Sequence, residues 1–289
     1  MKIIIDDRFA DWQVKAFLAS FHLGKEKIKN LNILVNGLKA SLETTLKRND
    51  EVELIYEDTL DFLPLEGHLD VLYEDDNLLI VNKGPHMLVH PDDKNKNGTL
   101  ANLVAYYYMQ KKEIHAVRYL HRIDYDTTGI VIFCKDILTA SSLAFLNEHF
   151  AITKKYLCIA SGKFLNDDGI FDYPIAEDRH IANKKRVSKT GKEAITYYHV
   201  LERLNKNLNL CEATLKTGRT HQIRLHFSYS GHPLVGDKLY NGNPHLLNRQ
   251  ALHAYEVSFV SPVSNKIINI QAPIPADLKK LYNKYKKRF

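Results

Sequence analysis

The stretch Tyr119-Leu120-His121-Arg122-Ile123-Asp124-Tyr125-Asp126-Thr127-Thr128-Gly129, followed by Ile130-Val131-Ile132-Phe133-Cys134, decides how the chain is read. A charged loop passes through a glycine into an unbroken apolar run, the pattern of an irregular segment feeding a buried strand. Charge beside a core strand is costly unless a cation or several donors hold it. Asp124 has Arg122 close in sequence and the hydroxyls of Thr127 and Thr128 just behind it. It therefore reads either as a catalytic carboxylate or as a turn-capping aspartate satisfied by local hydroxyl and backbone bonds. Asp124 and Asp126 match a glycosidase pair weakly, because neighbours on one loop seldom flank a sugar at the roughly 5 Å or more that this chemistry needs.

Outward from the loop, Asp136 to Phe150 shows helical spacing through Leu138, Leu143 and Leu146, so strand and helix follow it. Upstream, Leu100 to Lys111 reads as a helix with Thr99 as its cap, and His68 to Tyr73 with Leu78 to Asn82 as an antiparallel hairpin. Downstream, Tyr156 to Ala160, Ala194 to Leu201, Leu208 to Lys216, Ala251 to Val260 and Lys266 to Gln271 are strand candidates, mostly in hairpin-like succession. Periodicity alone gives a mixed α+β fold with many hairpins. Ahead of it, residues 8 to 30 predict two short helices broken at Gly24, then a hairpin at Asn36-Gly37 and a strand over Asp50 to Tyr56. The expected organisation is a small module over 1–60, a linker over 61–67 and a larger domain over 68–289.

With 289 residues, 45% hydrophobic and 26% charged, the chain falls among ordinary globular proteins, which excludes disordered and collagen-like classes. No apolar stretch approaches the roughly 20 residues of a membrane-spanning helix. The start turns acidic at Asp6-Asp7, unlike a secretory signal, so a cytoplasmic protein without membrane contact is expected. Cys134, Cys158 and Cys211 sit in apolar runs and read as reduced core residues. His86 and His90 share helical spacing without a third ligand at a recognisable distance, so no metal site is expected.

The net charge of +6 is unevenly placed: residues 1–60 hold 9 basic against 10 acidic residues, leaving 31 against 24 for the rest. Lys184, Lys185, Arg186, Lys189 and Lys192 form a run without an intervening acid, and Lys279 to Arg288 form a second cluster. Each is readable as a solvated surface or as a contact for a polyanion. Lys216-Thr217-Gly218-Arg219-Thr220-His221-Gln222-Ile223-Arg224 ends a strand, turns at glycine and starts a helix for which Thr220 is the expected cap. Arg219, His221 and Arg224 at that helix start suit a phosphate or carboxylate, or a partner for Asp124. The bland alternative is surface arginines with their stems packed on the sheet. Lys154-Lys155-Tyr156 opens a strand where Tyr156 can stack on a base or simply fill the core.

Together these segments resemble the RluA-type pseudouridine synthases. His121-Arg122-Ile123-Asp124 with Thr127-Thr128-Gly129 is similar to that family's active-site motif; Thr217 to Arg224 through Gly231-His232-Pro233-Leu234 and Gly236-Asp237 resembles its later motif; Lys154 and Tyr156 match its lysine-tyrosine strand. Tyr73-Glu74-Asp75 with Val81-Asn82-Lys83, and Val89-His90-Pro91 with Gly98-Thr99-Leu100, fit earlier signatures, so the resemblance runs from about His68 to Pro275. Lys83-Gly84-Pro85-His86 departs from the usual Lys-Pro-x-Gly, and Thr127-Thr128-Gly129 from the usual Thr-Ser-Gly. Residues 8 to 57 resemble the alpha-L RNA-binding module, chiefly through Val35-Asn36-Gly37 and Asn49-Asp50.

The resemblance implies a pseudouridine synthase catalytic fold with a mixed, largely antiparallel sheet, plus a small N-terminal α/β RNA-binding-like module. It implies isomerisation of uridine in structured RNA, large-subunit ribosomal RNA before transfer RNA, without metal or other cofactor; a monomer is expected because no long amphipathic or apolar edge is left over. Asp124 is then the catalytic carboxylate, Arg224 its partner and Tyr156 the ring stacked on the detached base. Arg122 fills the space left by the flipped nucleotide, and His121, Thr127, Lys154, Arg219, His221, Lys184, Lys185 and Arg186 contact RNA. Two rival readings are a non-catalytic RNA-binding or ribosome-associated protein that has kept the fold, and a carboxylate glycosidase.

Overall fold

The computed structural model describes residues 1–92 and 97–287. The first unit is a four-stranded antiparallel sheet carrying two short helices: β1 (Lys2–Ile4), α1 (Val14–Ser20), α2 (Lys25–Lys29), β2 (Asn32–Val35), β3 (Leu38–Lys39) and β4 (Glu51–Ile55), in the strand order β1-β4-β2-β3. The hairpin turns at Asn36 and Gly37, both with positive φ (51° and 78°), as a two-residue turn matched to strand twist requires. The helical spacing that starts at Phe9 in the sequence becomes helix only from Val14, because Asp11 sits at φ 64° and interrupts it. Phe9, Phe17 and Phe21 meet with ring centroids 5.1–5.7 Å apart and fill this unit's core with Val14, Leu18, Leu46, Val52 and Leu54.

The second unit runs β5 (Val71–Glu74), β6 (Leu78–Lys83), α3 (Leu100–Lys111), β7 (Arg118–Tyr119), β8 (Thr128–Cys134), α4 (Ile137–Glu148), β9 (Thr153–Ser161), β10 (Asp168–Asp172), β11 (Ile175–Glu177), β12 (Lys185–Val187), β13 (Ile195–Arg203), β14 (Leu208–Leu215), α5 (Gln222–Tyr229), β15 (Leu252–Val260), β16 (Ile267–Gln271) and α6 (Ala276–Tyr285). Ten strands form one sheet, ordered β10-β13-β14-β9-β15-β8-β6-β5, with β16 beside β15 and β7 beside β8. β15 and β8 pair in parallel; every other strand pair described is antiparallel, which is the mixed, largely antiparallel α+β fold expected. That parallel pair decides where the loop goes. Gly129 faces Ala254 at φ 114°, and a Cβ there would lie 2.1 Å from the Ala254 carbonyl oxygen, so only glycine lets the loop enter β8 at this point. Every residue of β8 is buried, as the apolar run requires.

Asp136 caps α4 by accepting from the Thr139 N–H at 2.8 Å, and Asn102 accepts from the N–H and hydroxyl of Thr99 at the start of α3. α6, read in the sequence only as part of a basic cluster, is amphipathic: Leu278, Leu281 and Tyr285 are buried while its lysines face outward. Arg288 of that cluster lies outside the described residues. The three cysteines are buried thiols. Among the described residues no helix is long and apolar enough to cross a membrane.

Residues 57–70 contain no regular element, yet they are fastened to the second unit. Asp58 accepts from the Ala116 N–H at 2.9 Å and Asp61 from the Val117 N–H at 2.8 Å, and Leu60 and Phe62 pack on the large core. The first unit also docks on α4. Ile137 and Leu138 complete its core, Ser142 donates to the Phe21 carbonyl at 3.1 Å, and the His22 ring stacks on Phe145 at 3.6 Å.

Candidate active site

The loop before β8, the first turn of α5 and one face of β9 enclose a cavity of about 260 Å³. His121, Arg122, Asp124, Thr127, Lys154, Tyr156, Arg219, His221 and Arg224 all line it, so the structure gathers nine of the residues singled out in the sequence. Lys184, Lys185 and Arg186 lie outside it, on and beside β12.

The loop holds its shape by a turn in which the Thr127 N–H donates to the Asp124 carbonyl at 3.0 Å. Gln250 donates to the Thr127 hydroxyl at 3.1 Å, and the Thr128 hydroxyl lies 2.8 Å from His253 Nδ1. Each threonine is therefore fixed by a neighbour on the entry to β15. The Asp124 carboxylate extends into the cavity and accepts from Arg224 Nη1 at 3.0 Å. Arg224 uses its other edge for a two-pronged contact with Asp237, at 2.7 Å through Nε and 2.8 Å through Nη2. Asp237 is 1% exposed and Arg224 7%. Burial works against the guanidinium's charge, but the Asp237 hydrogen bonds and the charges of both carboxylates more than offset it, raising the Arg224 pKa. Arg224 is thus a rigid cation set between two anions. One of them, Asp237, was passed over as a site residue in the sequence, although a buried aspartate there needs a cation.

His221 closes the other side of Asp124. It occupies the position before α5 in a left-handed conformation, φ 59°, with Nε2 3.9 Å from Asp124 Oδ1 and Nδ1 3.1 Å from the Tyr240 hydroxyl. That hydroxyl accepts from the Lys185 N–H at 2.8 Å, so it can donate its own proton to Nδ1, leaving Nε2 as the N–H facing Asp124. Burial lowers the His221 pKa, which favours this neutral ring. The expected Thr220 cap is not made; Gln222 folds back instead, accepting from the Arg219 N–H at 3.0 Å and the Thr217 hydroxyl at 2.8 Å. The left-handed His221 carries the chain past the position where a Thr220 side chain could reach the helix.

Lys83 supports the loop from beneath and was also missed. It is 1% exposed and donates to the carbonyls of Gly84, Met87 and Tyr125 at 2.8–3.0 Å. Burial pushes its pKa down to about 7 against the opposing charges of Asp124 and Asp126. A lone lysine ending the apolar run Leu78 to Asn82 was its sequence signal. Arg249 does the same work from the far side, donating to the Asp126 carbonyl at 3.1 Å while paired with Asp277 at 2.7 Å.

Tyr156 and Lys154 extend from one face of β9, two residues apart, as strand alternation dictates. The buried Tyr156 phenol is held well above its ordinary pKa by burial and by the charge of Asp124, so it is a neutral flat surface in this cavity. Arg122 and Arg219 are exposed at the rim; Arg122 reaches the Thr220 hydroxyl at 3.5 Å and Arg219 donates to the Glu193 carbonyl at 3.0 Å. The basic run is partly neutralised: Lys185 pairs with Glu177 across β11 and β12, and Arg186 donates to the Glu177 carbonyl.

Comparison with known proteins gives the family. Residues 77–229 match the family model described as RNA pseudouridylate synthase. The chain is 39% identical over 273 residues to the uncharacterized RNA pseudouridine synthase YhcT of Bacillus subtilis (strain 168), covering 93% of this chain and 90% of that one. It is 35% identical over 283 residues to the ribosomal large subunit pseudouridine synthase D of Haemophilus ducreyi (strain 35000HP / ATCC 700724), covering 90% and 86%. Among solved structures, human RNA pseudouridylate synthase domain containing 1 shares the fold, with a TM-score of 0.63 at 24% identity over 76% of this chain and 88% of the other. A carboxylate held by a buried arginine in an open cavity, reached by a matching sequence over nearly the whole chain, places this protein in the RluA-type RNA pseudouridylate synthase family, isomerases that act on RNA.

Proposed function

We propose that the chain isomerises uridine in large-subunit ribosomal RNA, with Asp124 as the catalytic carboxylate. The observation that carries the reading is the meeting of Asp124, clamped by Arg224 at 3.0 Å, with the buried Tyr156 ring in one cavity. In this reading the N-glycosidic bond of the target uridine breaks beside Asp124, the base turns against Tyr156, and a carbon-carbon bond re-forms to the same ribose. The nucleotide flips out of its stack to reach a carboxylate this deep, and Arg122 takes its place. Arg219, Lys184, Lys185 and Arg186 contact phosphates and position the RNA without reading its sequence. The name of the Haemophilus relative supports ribosomal RNA as the substrate class. The enzyme works as a cytoplasmic monomer.

The first unit takes part as well. It is net acidic, but Lys15, Lys25, Lys29 and Lys39 line one groove beside Ile28 and Leu42, and this face supports a contact with RNA backbone.

The test is pseudouridine mapping by carbodiimide modification and primer extension on RNA from cells lacking the gene, complemented with wild type or Asp124→Asn. The expected result is a ribosomal RNA site restored by wild type alone. A site restored equally by Asp124→Asn returns the chain to the class of RNA-binding proteins that have kept the fold.

A further inference from the structure

The cations of this region differ in what they already hold. Arg224 is saturated by Asp124 and Asp237, Arg249 by Asp277 and backbone carbonyls, and Lys83 by three carbonyls. Lys155, next along β9, turns to the opposite face and lies between Glu212 and Glu256 at 3.5 and 3.6 Å. Lys154 has none of this. Its ammonium donates to the neutral Asn147 Oδ1 at 2.5 Å, and among the described residues it forms no ion pair.

Lys154 is half-buried at the cavity wall, and that burial alone lowers its pKa to about 8. Its neighbour His121 is held neutral, its pKa pushed down to about 3 by burial and by the charge of Lys154, and His121 Nε2 is buried without a hydrogen-bond partner. A half-buried cation without an ion pair, beside a ring nitrogen without a hydrogen-bond partner, lies on the wall of the cavity of Asp124 and Tyr156. It suits a site completed by an anion.

The reaction supplies one. When the bond between C1′ and N1 breaks, its electron pair stays on N1 and spreads over O2 and O4, so the base departs as the uracil monoanion. The anion returns through C5, whose electrons form the new bond to C1′; a proton then leaves C5 and one is gained at N1, giving an isomer of the starting nucleotide. We propose that Lys154 is the electrophilic partner of this departing base, its ammonium donating a hydrogen bond to a uracil carbonyl oxygen while the ring lies against Tyr156. Lys154 gives up no proton; it stabilises charge that is greatest after bond cleavage and weak in the bound uridine, which is what makes a contact accelerate a reaction. The inference rests on the function proposed above.

Two measurements test it, with Lys154→Met, which keeps an apolar stem, and Lys154→Arg, which keeps the charge. On an RNA carrying the mapped site, the single-turnover rate of Lys154→Met falls about 10- to 100-fold, the range for a lost hydrogen bond to a charged group, while RNA affinity holds and Lys154→Arg retains more of the rate. An unchanged rate in Lys154→Met, or a fall in RNA affinity that accounts for the whole loss, overturns the proposal; the latter marks Lys154 as a phosphate anchor. The second measurement uses free bases and no RNA: calorimetric binding of 5-nitrouracil, ionised at neutral pH, against neutral uracil. Wild type is expected to prefer the anion and Lys154→Met to lose that preference; a wild type without it overturns the proposal. If the protein forms no pseudouridine yet prefers the anionic base, the functional reading fails and the anion site stands. If it forms pseudouridine with neither a preference nor a rate loss in Lys154→Met, the reading stands and the anion site fails.

Discussion

On one side of the cavity Arg224 lies between Asp124 and Asp237 with Tyr240 beneath its guanidinium; on the other, Lys154 has only the Asn147 carboxamide and the unsatisfied His121 ring. Arg224 is buried and Lys154 half-buried, and they differ in whether the fold has finished them. The finished side fixes geometry: the bidentate contact with Asp237 sets the Arg224 guanidinium, which offers the Asp124 carboxylate one Nη1 donor in one direction. The unfinished side stores unfavourable solvation that a bound anion would relieve. Stability and activity are therefore expected to respond in opposite ways on the two sides.

Four substitutions sharpen or break this contrast. If Asp124 is the catalytic carboxylate proposed above, Asp124→Asn, which keeps shape and removes charge, is expected to cost at least about 10³-fold in single-turnover rate with little change in urea midpoint. Asp237→Ala attacks the finished side. It leaves a buried guanidinium short of a partner, for an expected loss of about 3–5 kcal/mol in urea unfolding, with activity falling as Asp124 loses its orientation. A loss below about 1 kcal/mol would show that Arg224 is held by packing.

Lys154→Met attacks the unfinished side and should move stability the other way. The folded pKa of Lys154 lies near 8, below the ordinary 10.5, so the unfolded chain binds more protons between those values and wild-type stability from this group rises with pH across that window. Below pH 8 the penalty of the buried charge is fully present. Removing it at pH 7 is expected to stabilise the fold by on the order of 1–3 kcal/mol in urea unfolding, with the gain fading above pH 10. A destabilised Lys154→Met would erase the contrast. Lys185→Gln is the control for a half-buried lysine that already has its partner: it pairs with the exposed Glu177 across β11 and β12, and the change should stay within about 1 kcal/mol.

Much of this arrangement was legible in the sequence, and the missing parts share a cause. The apolar run after Gly129, the Asn36-Gly37 turn and the strand alternation at Lys154 and Tyr156 are local signals, and the structure follows them. Asp124 and Arg224 stand 100 residues apart; the residues alone offered the helix start of Arg219 and Arg224 as one partner for Asp124 among others, and the family resemblance singled out Arg224. Asp237, Lys83 and Tyr240 act through contacts that no spacing rule encodes, since each is defined by what the folded chain brings to it. The Thr220 cap failed because a local preference met a tertiary one: Gln222 and the left-handed His221 had already claimed the helix start. α6 was hidden by its lysines, which masked the buried row of Leu278, Leu281 and Tyr285.

The docking of the first unit on α4 bears on how such chains change over evolutionary time. Ile137 and Leu138 belong to the core of residues 1–60, while Asn147 at the other end of the same helix lines the cavity of Asp124. A lineage that shed or exchanged its leading unit would strand two aliphatic side chains in water and loosen the helix that carries the partner of Lys154. The heritable piece is thus the leading unit together with one face of α4, and a graft that ends at residue 60 cuts through it.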